Sequence, residues 1–595
     1  MAVSPLLDSD GVLRINVRCN GAPQPGLALL SVHTRHALNE VPWAKLVLED
    51  GEMAEGTVPL SDGTLFEPGA AIEVFAGYGE EESLIFTGIV LRHGFSFGDG
   101  NAGRLSLECR ASAFKMTLAR QTAHYANQTD AYILSSLIGQ HGLTANVAST
   151  SIQHETLVQY DCSDWDFLLA RADALGLLVN VDGTRVAVQA PDGSAQPVLS
   201  VSWGESLMDF NADLDASTQW AEVQASHWSP AQQAMLQAPA ARPAATSGQG
   251  NLSGAKLAEA TAPARPALQT CALQANGVLH AWAKAVQVKA ALARIRGSCR
   301  FQGSALAKPG ALIELKGVGD RFSGNALMSA VEHELADGQW FSRVTFGLDP
   351  TWHVNQKGLE AAPNGGLVPG VAGLQIGVVV KIEGDPAGEH RIQVRLPQAT
   401  AGADLLWARL LQPQASAAFG SFFVPEISDE VLLGHLNQDP AHPVVLGSLY
   451  SSKHQPPEAL NDENAIRAIV TRGKHRLAFN DATGEITLTT AQQNQLVLSD
   501  QDKGLLLKDQ NGNSIRLSAA GIALESPKDI VLKANGSIRL DALNALQVQS
   551  KADVSVQGMN VLCQAQIRLQ AKGAASAELS SAGQTQVQGG IVLIN

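Results

Sequence analysis

Few residues in this sequence have the types and the spacing that catalysis or cofactor binding requires. Gly98, Gly100 and Gly103 match the G-x-G-x-x-G pattern of dinucleotide-binding loops. That pattern needs a helix directly after the glycines, whereas the segment RLSLECR that follows them alternates like a strand. We therefore expect a hairpin turn at these glycines and no nucleotide site.

Two histidines begin segments that look like the start of a zinc-protease helix. They are His154 in HETLV and His333 in HELAD. Such a helix needs a second histidine at the fifth position, where it can share the zinc ion, and neither segment has one. We expect both residues to be surface or strand histidines.

The other polar residues also lack a catalytic arrangement. Asp164 and Asp166 fit the start of a helix, and alternation along a strand explains Glu332 with Glu334. The chain has no phosphate-binding glycine loop. The six cysteines form no C-x-x-C pair: Cys19, Cys109, Cys162, Cys271, Cys299 and Cys563. The sequence thus predicts no catalytic residue, no cofactor, no metal site and no enzymatic activity.

Length and charge narrow the possible classes of protein. A chain of 595 residues has room for three or four domains. Its net charge of -15, without any run of Lys or Arg, does not suit a nucleic-acid binder. The amino terminus lacks the pattern of a signal peptide, and no apolar stretch is long enough for a membrane span. We expect synthesis and folding in the cytoplasm.

The elements that must position these residues are mostly strands. Residues 1 to 120 alternate in the manner of a β-barrel or sandwich. Two helices follow, one capped by Thr129 with Gly142 past its end, the other opened by Ser163 and closed by Gly176. The Ala-, Gln- and Pro-rich residues 229–279 indicate a loop, with an adaptor-docking excursion as the alternative. A helix is predicted over AWAKAVQVKAALARIRGS, and a compact β module occupies 374–450.

The end of the chain repeats every eight residues. One apolar register contains Ile522, Ile530, Ile538, Leu546, Val554 and Leu562, and a second contains Leu524, Leu532, Leu540, Val548 and Val556. Each unit predicts a short strand and a polar turn, such as Asn535-Gly536. A ribbon of this kind cannot bury its apolar face alone. The alternative, a disordered tail, does not explain the apolar register, so we predict three copies wound into a narrow prism.

Several segments resemble the VgrG proteins of type VI secretion systems. PEISDEVLLGHLNQDPAHPVVLGSLY resembles their oligonucleotide/oligosaccharide-binding (OB) fold, YDCSDWDFLLARADALGLLV their hub, and SGNALMSAVEHELADGQWFSRVTFGLDP the end of that hub. Ser428 departs from the family, which more often has Gly there. The resemblance implies a mainly β protein with a few helices: a phage-hub-like region of two β-barrels at 1–360, an OB-fold collar at 374–455 and a trimeric intertwined β-helix at 477–595.

The same resemblance implies partners and a place of action. It implies a homotrimeric spike that punctures target envelopes, contacts membranes only by puncture and binds no nucleic acid. Tube protein and baseplate would bind the hub, and effectors or adaptors would travel on the spike. A PAAR-repeat cap would bind the terminal residues Gly590, Ile591, Val592, Leu593, Ile594 and Asn595. Assembly in the cytoplasm would precede delivery into the medium or a target cell. An extracellular contractile particle is the alternative, and a tailspike-type depolymerase fits less well.

Overall fold

The computed structural model describes residues 2–6, 11–51, 53–79, 81–98, 103–244, 248–260, 265–272, 274–399 and 404–594. The chain divides into two compact units, Met1–Ser448 and Leu449–Asn595. Both units are built mainly from strands, as the alternating sequence predicts.

The first part of the first unit holds most of the strands and the longer helices. The strands are β1 (Leu13–Cys19), β2 (Ala22–Pro23), β3 (Leu29–Ala37), β4 (Trp43–Glu49), β5 (Ala71–Tyr78), β6 (Ser83–Phe97), β7 (Gly103–Arg110), β8 (Arg120–Thr129), β9 (Thr144–Val147), β10 (Gln153–Ser163), β11 (Leu178–Asp182), β12 (Arg185–Gln189), β13 (Leu199–Ser202), β14 (Leu207–Leu214), β15 (Gln224–Ser229), β16 (Ala234–Gln237), β17 (Ala267–Thr270), β18 (Ile295–Gln302), β19 (Leu312–Lys316), β20 (Gly324–Ala336) and β21 (Gln339–Phe346). The helices are α1 (Pro59–Asp62), α2 (Asp130–Gln140), α3 (Asp164–Leu175), α4 (Gly254–Ala258) and α5 (Asn276–Ala293).

Most of these strands form one continuous sheet, in the order β14-β18-β21-β20-β3-β4-β7-β6-β5-β1-β2. The long strand β20 joins its two halves because it pairs with β21 and with β3. Val331 of β20 packs into one core with Phe301 and Phe346, whereas Leu335 packs into the other core with Leu46. Two hydrophobic cores of the first unit thus share one sheet, and the division of residues 1–360 into two hub barrels stays a prediction.

Helices α2 and α3 begin at the residues that the sequence predicts. The Thr129 side chain accepts a hydrogen bond from the Tyr132 amide, and the Ser163 hydroxyl accepts one from the Asp166 amide at 3.1 Å. The Asp166 carboxylate bonds to the Ser163 hydroxyl, not to the backbone amide that a capping box would use. Gly176 ends α3 with φ of 68°, a conformation that glycine adopts without strain.

Residues 229–279 are not the plain loop that their composition indicates. Strands β15, β16 and β17 form a small sheet, and its residue Ala225 packs with Ala238 and Ala241 against Leu279 and Ala283 of α5. The alanines that resemble a linker in the sequence therefore serve close helix-on-sheet packing. The predicted helix also lies earlier than expected, since IRGS belongs to strand β18, whose residues Cys299 and Phe301 are buried.

The second part of the first unit is a small closed barrel. Its strands β22 (Gln375–Lys381), β23 (Ile392–Arg395), β24 (Leu405–Leu410), β27 (Glu430–His435) and β28 (Pro443–Ser448) close in the order β22-β23-β24-β28-β27, and β25 (Ala415–Ser416) with β26 (Phe419–Gly420) forms a separate hairpin. Val394, Val431 and Leu433 are fully buried inside. Gly377 allows the close packing, because a Cβ there would lie 2.8 Å from a methyl carbon of Leu433.

The second unit contains an antiparallel meander in which each strand pairs with the next. Its strands are β29 (Ile466–Val470), β30 (Arg476–Asn480), β31 (Glu485–Thr489), β32 (Gln495–Ser499), β33 (Gly504–Lys508), β34 (Ser514–Ser518) and β35 (Gly521–Glu525). The meander begins at Ile466, earlier than the start near residue 477 that the repeat suggests. Between 526 and 594, all of which the structure describes, no residue belongs to a strand.

Candidate functional site

One face of the meander in the second unit carries mostly apolar side chains, in the two rows given below, and we call it the apolar face. Its register aligns side chains into two rows across the strands. The first row is Phe479, Ile486, Leu498, Leu505, Leu517 and Ile522, and the second is Ile469, Leu477, Leu488, Leu496, Leu507, Ile515 and Leu524. The intervening residues, such as Thr487 and Arg516, point to the opposite face.

These rows remain accessible in the single chain. Leu505 is 38% exposed, Leu507 51% and Ile522 74%. A groove of about 560 Å³ runs along the second row, where Leu488, Leu507 and others line it. In the described part of this unit only Ala478 and Ser499 count as buried. The sheet is therefore amphipathic, with an apolar side that its own chain does not cover.

The energy at stake is large for a unit of this size. Covering a half-exposed aliphatic side chain contributes ~1 kcal/mol, so both rows together give roughly 10 kcal/mol per chain. The net stability of a whole domain is of the same order, ~5–15 kcal/mol. Burial of the apolar face against another surface would thus decide whether this unit is stable.

The repeat beyond β35 appears in the structure as regular bends. They lie at residues 527–528, 535–536, 543–544, 551–552, 559, 566–567, 574–575, 582–583 and 590–591. The spacing is eight residues except near 559–567, where it shortens by one. Residues 527–594 are all exposed, including Ile530 and Leu540. The predicted eight-residue period is confirmed, but the predicted strands of this segment are not formed in the single chain, because a strand requires a hydrogen-bonded neighbour.

The predicted cap-binding residues lie at the end of this segment. Ile591, Leu593 and Ile594 are each more than 80% exposed, and Val592 is about half exposed. Gly590 lies at the last bend, and Asn595 is outside the described residues. The structure brings these residues near no other functional group that it describes, so cap binding stays a prediction.

The glycines and histidines that resemble nucleotide-binding or zinc-binding motifs in the sequence have structural roles instead. Strands β6 and β7 pair antiparallel with Phe97 opposite Gly103, so the predicted hairpin at the glycines is confirmed, although Gly100 lies outside the described residues. His333 lies in strand β20, as predicted, and is buried against Ser342. Burial lowers the pKa of His333 to about 3, which keeps the imidazole neutral.

His154 belongs to a buried charge cluster that sequence reasoning missed. Its Nε2 lies 2.7 Å from a carboxylate oxygen of Asp130, and Arg171 Nε donates to the other oxygen at 2.8 Å. Burial alone would raise the pKa of Asp130, but the hydrogen bond and charge of Arg171, followed by His154, lower it below its usual value. These residues are far apart in sequence and belong to α2, β10 and α3, so no local motif could reveal them.

Carboxylates elsewhere in the first unit are also paired. Asp164 lies 2.8 Å from His141 Nε2, and the Asp173 carboxylate accepts from Lys289 Nζ at 2.8 Å. Within the described residues, one group has side chains close enough together to hold a metal ion: His33, Glu332 and Glu334. The His33 imidazole and the Arg35 guanidinium lower the pKa of Glu332 to about 2 against its burial. Since Arg35 already bonds to this carboxylate, the group is better suited to an ion pair than to a cation.

The cysteines form no disulfide among the described residues. Cys19, Cys109 and Cys299 are buried, and burial raises the pKa of the Cys109 and Cys299 thiols to about 12. Cys271 and Cys563 are exposed. None of the described helices combines the length and the apolar character needed to cross a membrane.

Three sequence models of known families match the chain. Residues 9–337, more than half of the chain, match the Alg8 N-terminal domain. Residues 375–450 match the type VI secretion system/phage-baseplate injector OB domain, which coincides with the small barrel. Residues 485–561 match the phage baseplate V C-terminal trimerisation domain, which includes most of the apolar face.

Curated relatives are spike proteins that are much longer than the matched region. The type VI secretion system spike protein VgrG2a of Pseudomonas aeruginosa is 30% identical over 149 residues, 23% of this chain and 17% of that protein. The spike protein VgrG3 of Vibrio cholerae is 29% identical over 151 residues, 22% of this chain and 14% of that protein. The actin cross-linking toxin VgrG1 of V. cholerae is 30% identical over 129 residues, 20% of this chain and 12% of that protein.

Solved structures of tail proteins are similar at low identity. A 43 kDa prophage tail protein from Shewanella oneidensis has a TM-score of 0.42 and 11% identity, covering 57% of this chain and 98% of that chain. A type VI secretion component of Escherichia coli has a TM-score of 0.37 and 15% identity, covering 73% of this chain and 99% of that chain. The chain belongs to the family defined by the Alg8 N-terminal domain, and its injector OB and trimerisation domains, with the matches to spike proteins, confirm its resemblance to the VgrG proteins of type VI secretion systems.

Proposed function

We propose that three copies of this chain form the hub and spike at the tip of a contractile injection machine of the type VI kind. The observation that carries the proposal is the apolar face of the second unit. A sheet that leaves two rows of apolar side chains exposed marks a surface that binds a partner. The trimerisation domain matched at 485–561 supports three copies as the partners that cover it.

The role is mechanical rather than catalytic. In a trimer, each apolar face would pack against the other two, and the eight-residue units beyond Glu525 would find hydrogen-bonded neighbours in the other copies. The absence of aromatic residues after Phe479 suits a narrow core that only aliphatic side chains fill. Pulling one copy out would break every unit at once, so the spike resists the load of puncturing an envelope.

The spike end would carry further components. The exposed apolar side chains of Ile591 to Ile594 support the binding of a conical PAAR-repeat cap at Gly590 to Asn595. In the assembled trimer, strands formed by the last units would have free edges, to which the cap could add a strand. The hub at residues 1–360 would bind the tube and baseplate, the collar would occupy 374–455 and the spike 477–595. Effectors or adaptors would travel on this assembly from the cytoplasm into the medium or a target cell.

Two neighbouring leucines test the proposal. Leu506 and Leu507 are adjacent, but only Leu507 lies on the apolar face. We expect Leu507→Asp to convert the trimer into monomers, because it places a charge in the shared core, whereas Leu506→Asp leaves the trimer intact. Light scattering of the full-length variants measures the mass against three times 62.5 kDa. Equal masses for the two variants would contradict the assignment of this face to the trimer core.

A further inference from the structure

A second apolar surface lies on the small barrel. Strands β25 and β26 form a hairpin outside the barrel wall, and we call residues 412–423 the Phe hairpin. Phe419 and Phe423 are each 63% exposed and Phe422 is 87% exposed. Three exposed phenylalanines on one short hairpin are unusual for a surface that faces water.

The Phe hairpin is held in shape by its own hydrogen bonds. The Gln412 side chain donates to the Phe423 carbonyl at 2.8 Å and accepts from the Phe423 amide at 3.3 Å. The Ser421 amide donates to the Gln414 carbonyl at 2.8 Å. The rings are therefore presented on a pre-organised backbone, which reduces the entropy lost when a partner binds.

The composition around the hairpin is that of an interface core. Between Arg409 and Glu426 the sequence has no charged residue, in a chain of which 17% is charged. Exposed Leu411 and Ile427 flank the three rings. Protein interfaces combine aromatic enrichment with depletion of charge at their centre. A membrane-surface segment would instead carry clustered Lys or Arg, and this stretch has none.

The connection between the barrel and the meander indicates that another copy of this chain is available to bind the Phe hairpin. Strand β28 ends at Ser448 and β29 begins at Ile466, so residues 449–465 are the tether between barrel and meander. Even fully extended, this tether spans about 60 Å. Joining three second units therefore holds three barrels at an effective concentration on the order of millimolar. A weak apolar contact between barrels suffices at such a concentration.

We propose that the Phe hairpin is a clasp that packs onto the barrel of a second copy of this chain. The inference rests on the proposed trimer and adds a contact outside the apolar face. Each phenylalanine can bury ~150–250 Å², so the clasp is small. It tightens an assembly that the second unit creates, but it does not create the assembly alone.

A photo-crosslinking experiment on the full-length protein tests the clasp. Phe422→p-benzoylphenylalanine keeps an aromatic ring at the most exposed position, and Ile382→p-benzoylphenylalanine is the control at another exposed barrel residue. The ¹⁵N-labelled and unlabelled chains are made in separate cultures, unfolded, mixed and refolded together to provide mixed trimers. We expect irradiation to yield mixed-isotope peptides that join position 422 to residues 374–450 of another copy, at least fivefold above the control.

Other outcomes overturn the clasp. The clasp is wrong if position 422 crosslinks only within its own copy, or if its crosslink yield equals that of the control. It is also wrong if position 422 crosslinks to lipid when phosphatidylethanolamine/phosphatidylglycerol vesicles are added. As a second measurement, Phe422→Asp combined with Phe423→Asp should raise the concentration at which the trimer dissociates about tenfold, and an unchanged value also contradicts the clasp. The mass of the unmodified chain separates the two proposals. If that chain is a trimer but the Phe422 variant gives no crosslink between copies, only the clasp is wrong. If that chain is a monomer, the proposed function is wrong.

Discussion

The small barrel and the meander use the same strand pattern and reach opposite results. Both consist of short strands in which apolar and polar residues alternate, and neighbouring strands are antiparallel except for β24 and β28 of the barrel, which are parallel. In the barrel the sheet closes on itself, and Val394, Val431 and Leu433 are fully buried. In the meander the sheet stays open, and the corresponding leucines remain about 40–50% exposed, as Leu505 and Leu507 illustrate. Closure thus decides whether alternation produces an internal core or an interface.

The comparison predicts first that the two regions differ in association. Ending the chain after Ser448 removes the whole second unit. We expect the truncated protein to stay folded, because its cores lie within residues 1–448, but to dissociate at concentrations more than 100-fold higher than the full chain. Sedimentation at several concentrations measures this difference. A truncated protein that associates as tightly as the full chain would show that the interface lies in the first unit.

Loss of the buried Asp130 carboxylate should lower the stability of the first unit far more than loss of an exposed carboxylate lowers that of the second unit. Asp130→Asn leaves the largely buried Arg171 without its counter-ion, and breaking a fully buried pair costs about 3–5 kcal/mol, so we expect a loss near the lower end of that range. Denaturant unfolding monitored by hydrogen exchange in α2 measures the loss. The exposed pair Arg539 with Asp541 is the control, and Asp541→Asn should change stability by less than about 0.5 kcal/mol.

The same carboxylate sets the direction of a pH dependence. The pKa of Asp130 is lowered in the folded state, so it contributes stability above the unfolded pKa of about 3.9. This stability is lost as the pH falls from about 4 through the folded pKa. The Asp130→Asn variant should therefore show a shallower loss of stability below pH 4 than the wild type. Parallel acid curves would contradict this role.

Two leucine-to-alanine substitutions sharpen the contrast between internal core and interface. Leu433→Ala removes a fully buried side chain from the barrel, which costs about 2–5 kcal/mol whatever the protein concentration. Leu505 is buried only when copies associate, so Leu505→Ala should destabilise the second unit only in the trimer. Its effect should therefore depend on protein concentration. Hydrogen exchange in β27 and β33 at two concentrations measures both effects. A concentration-independent loss in β33 would mean that the meander is stable in one chain.

The smallest predicted effect concerns a turn of the barrel. Ser428, where the related family more often has glycine, has φ of 78°, and the bonds from its amide to Val379 and from the Val379 amide to Asp429 fix the turn. A side chain in this left-handed region costs about 1 kcal/mol. Ser428→Gly should therefore stabilise the barrel by about 0.5–1 kcal/mol. Thermal unfolding measures the change, with Ser416→Gly as a control at an exposed position of the Phe hairpin whose φ is not positive. A loss of stability in Ser428→Gly would contradict the strain.

Local signals predicted a large part of the fold. Thr129 and Ser163 begin their helices and Gly176 ends α3 where the sequence indicates, because caps depend on neighbouring residues only. The barrel was recognisable from its motif and its alternation. Residues 229–279 were misjudged, since their alanines resemble a linker until they pack against Leu279 of α5. Composition describes a segment, but burial depends on what lies beside it.

The sequence by itself determined the period of the carboxyl-terminal repeat and the side of each strand that is apolar. These properties follow from spacing along the chain, which determines the direction of side chains before any tertiary contact forms. Tertiary structure alone decided which rows align, as Leu505 does with Leu517, and which distant groups meet, as Asp130 does with Arg171. Such contacts depend on register and closure, and these are set by the loops and cores of the whole fold.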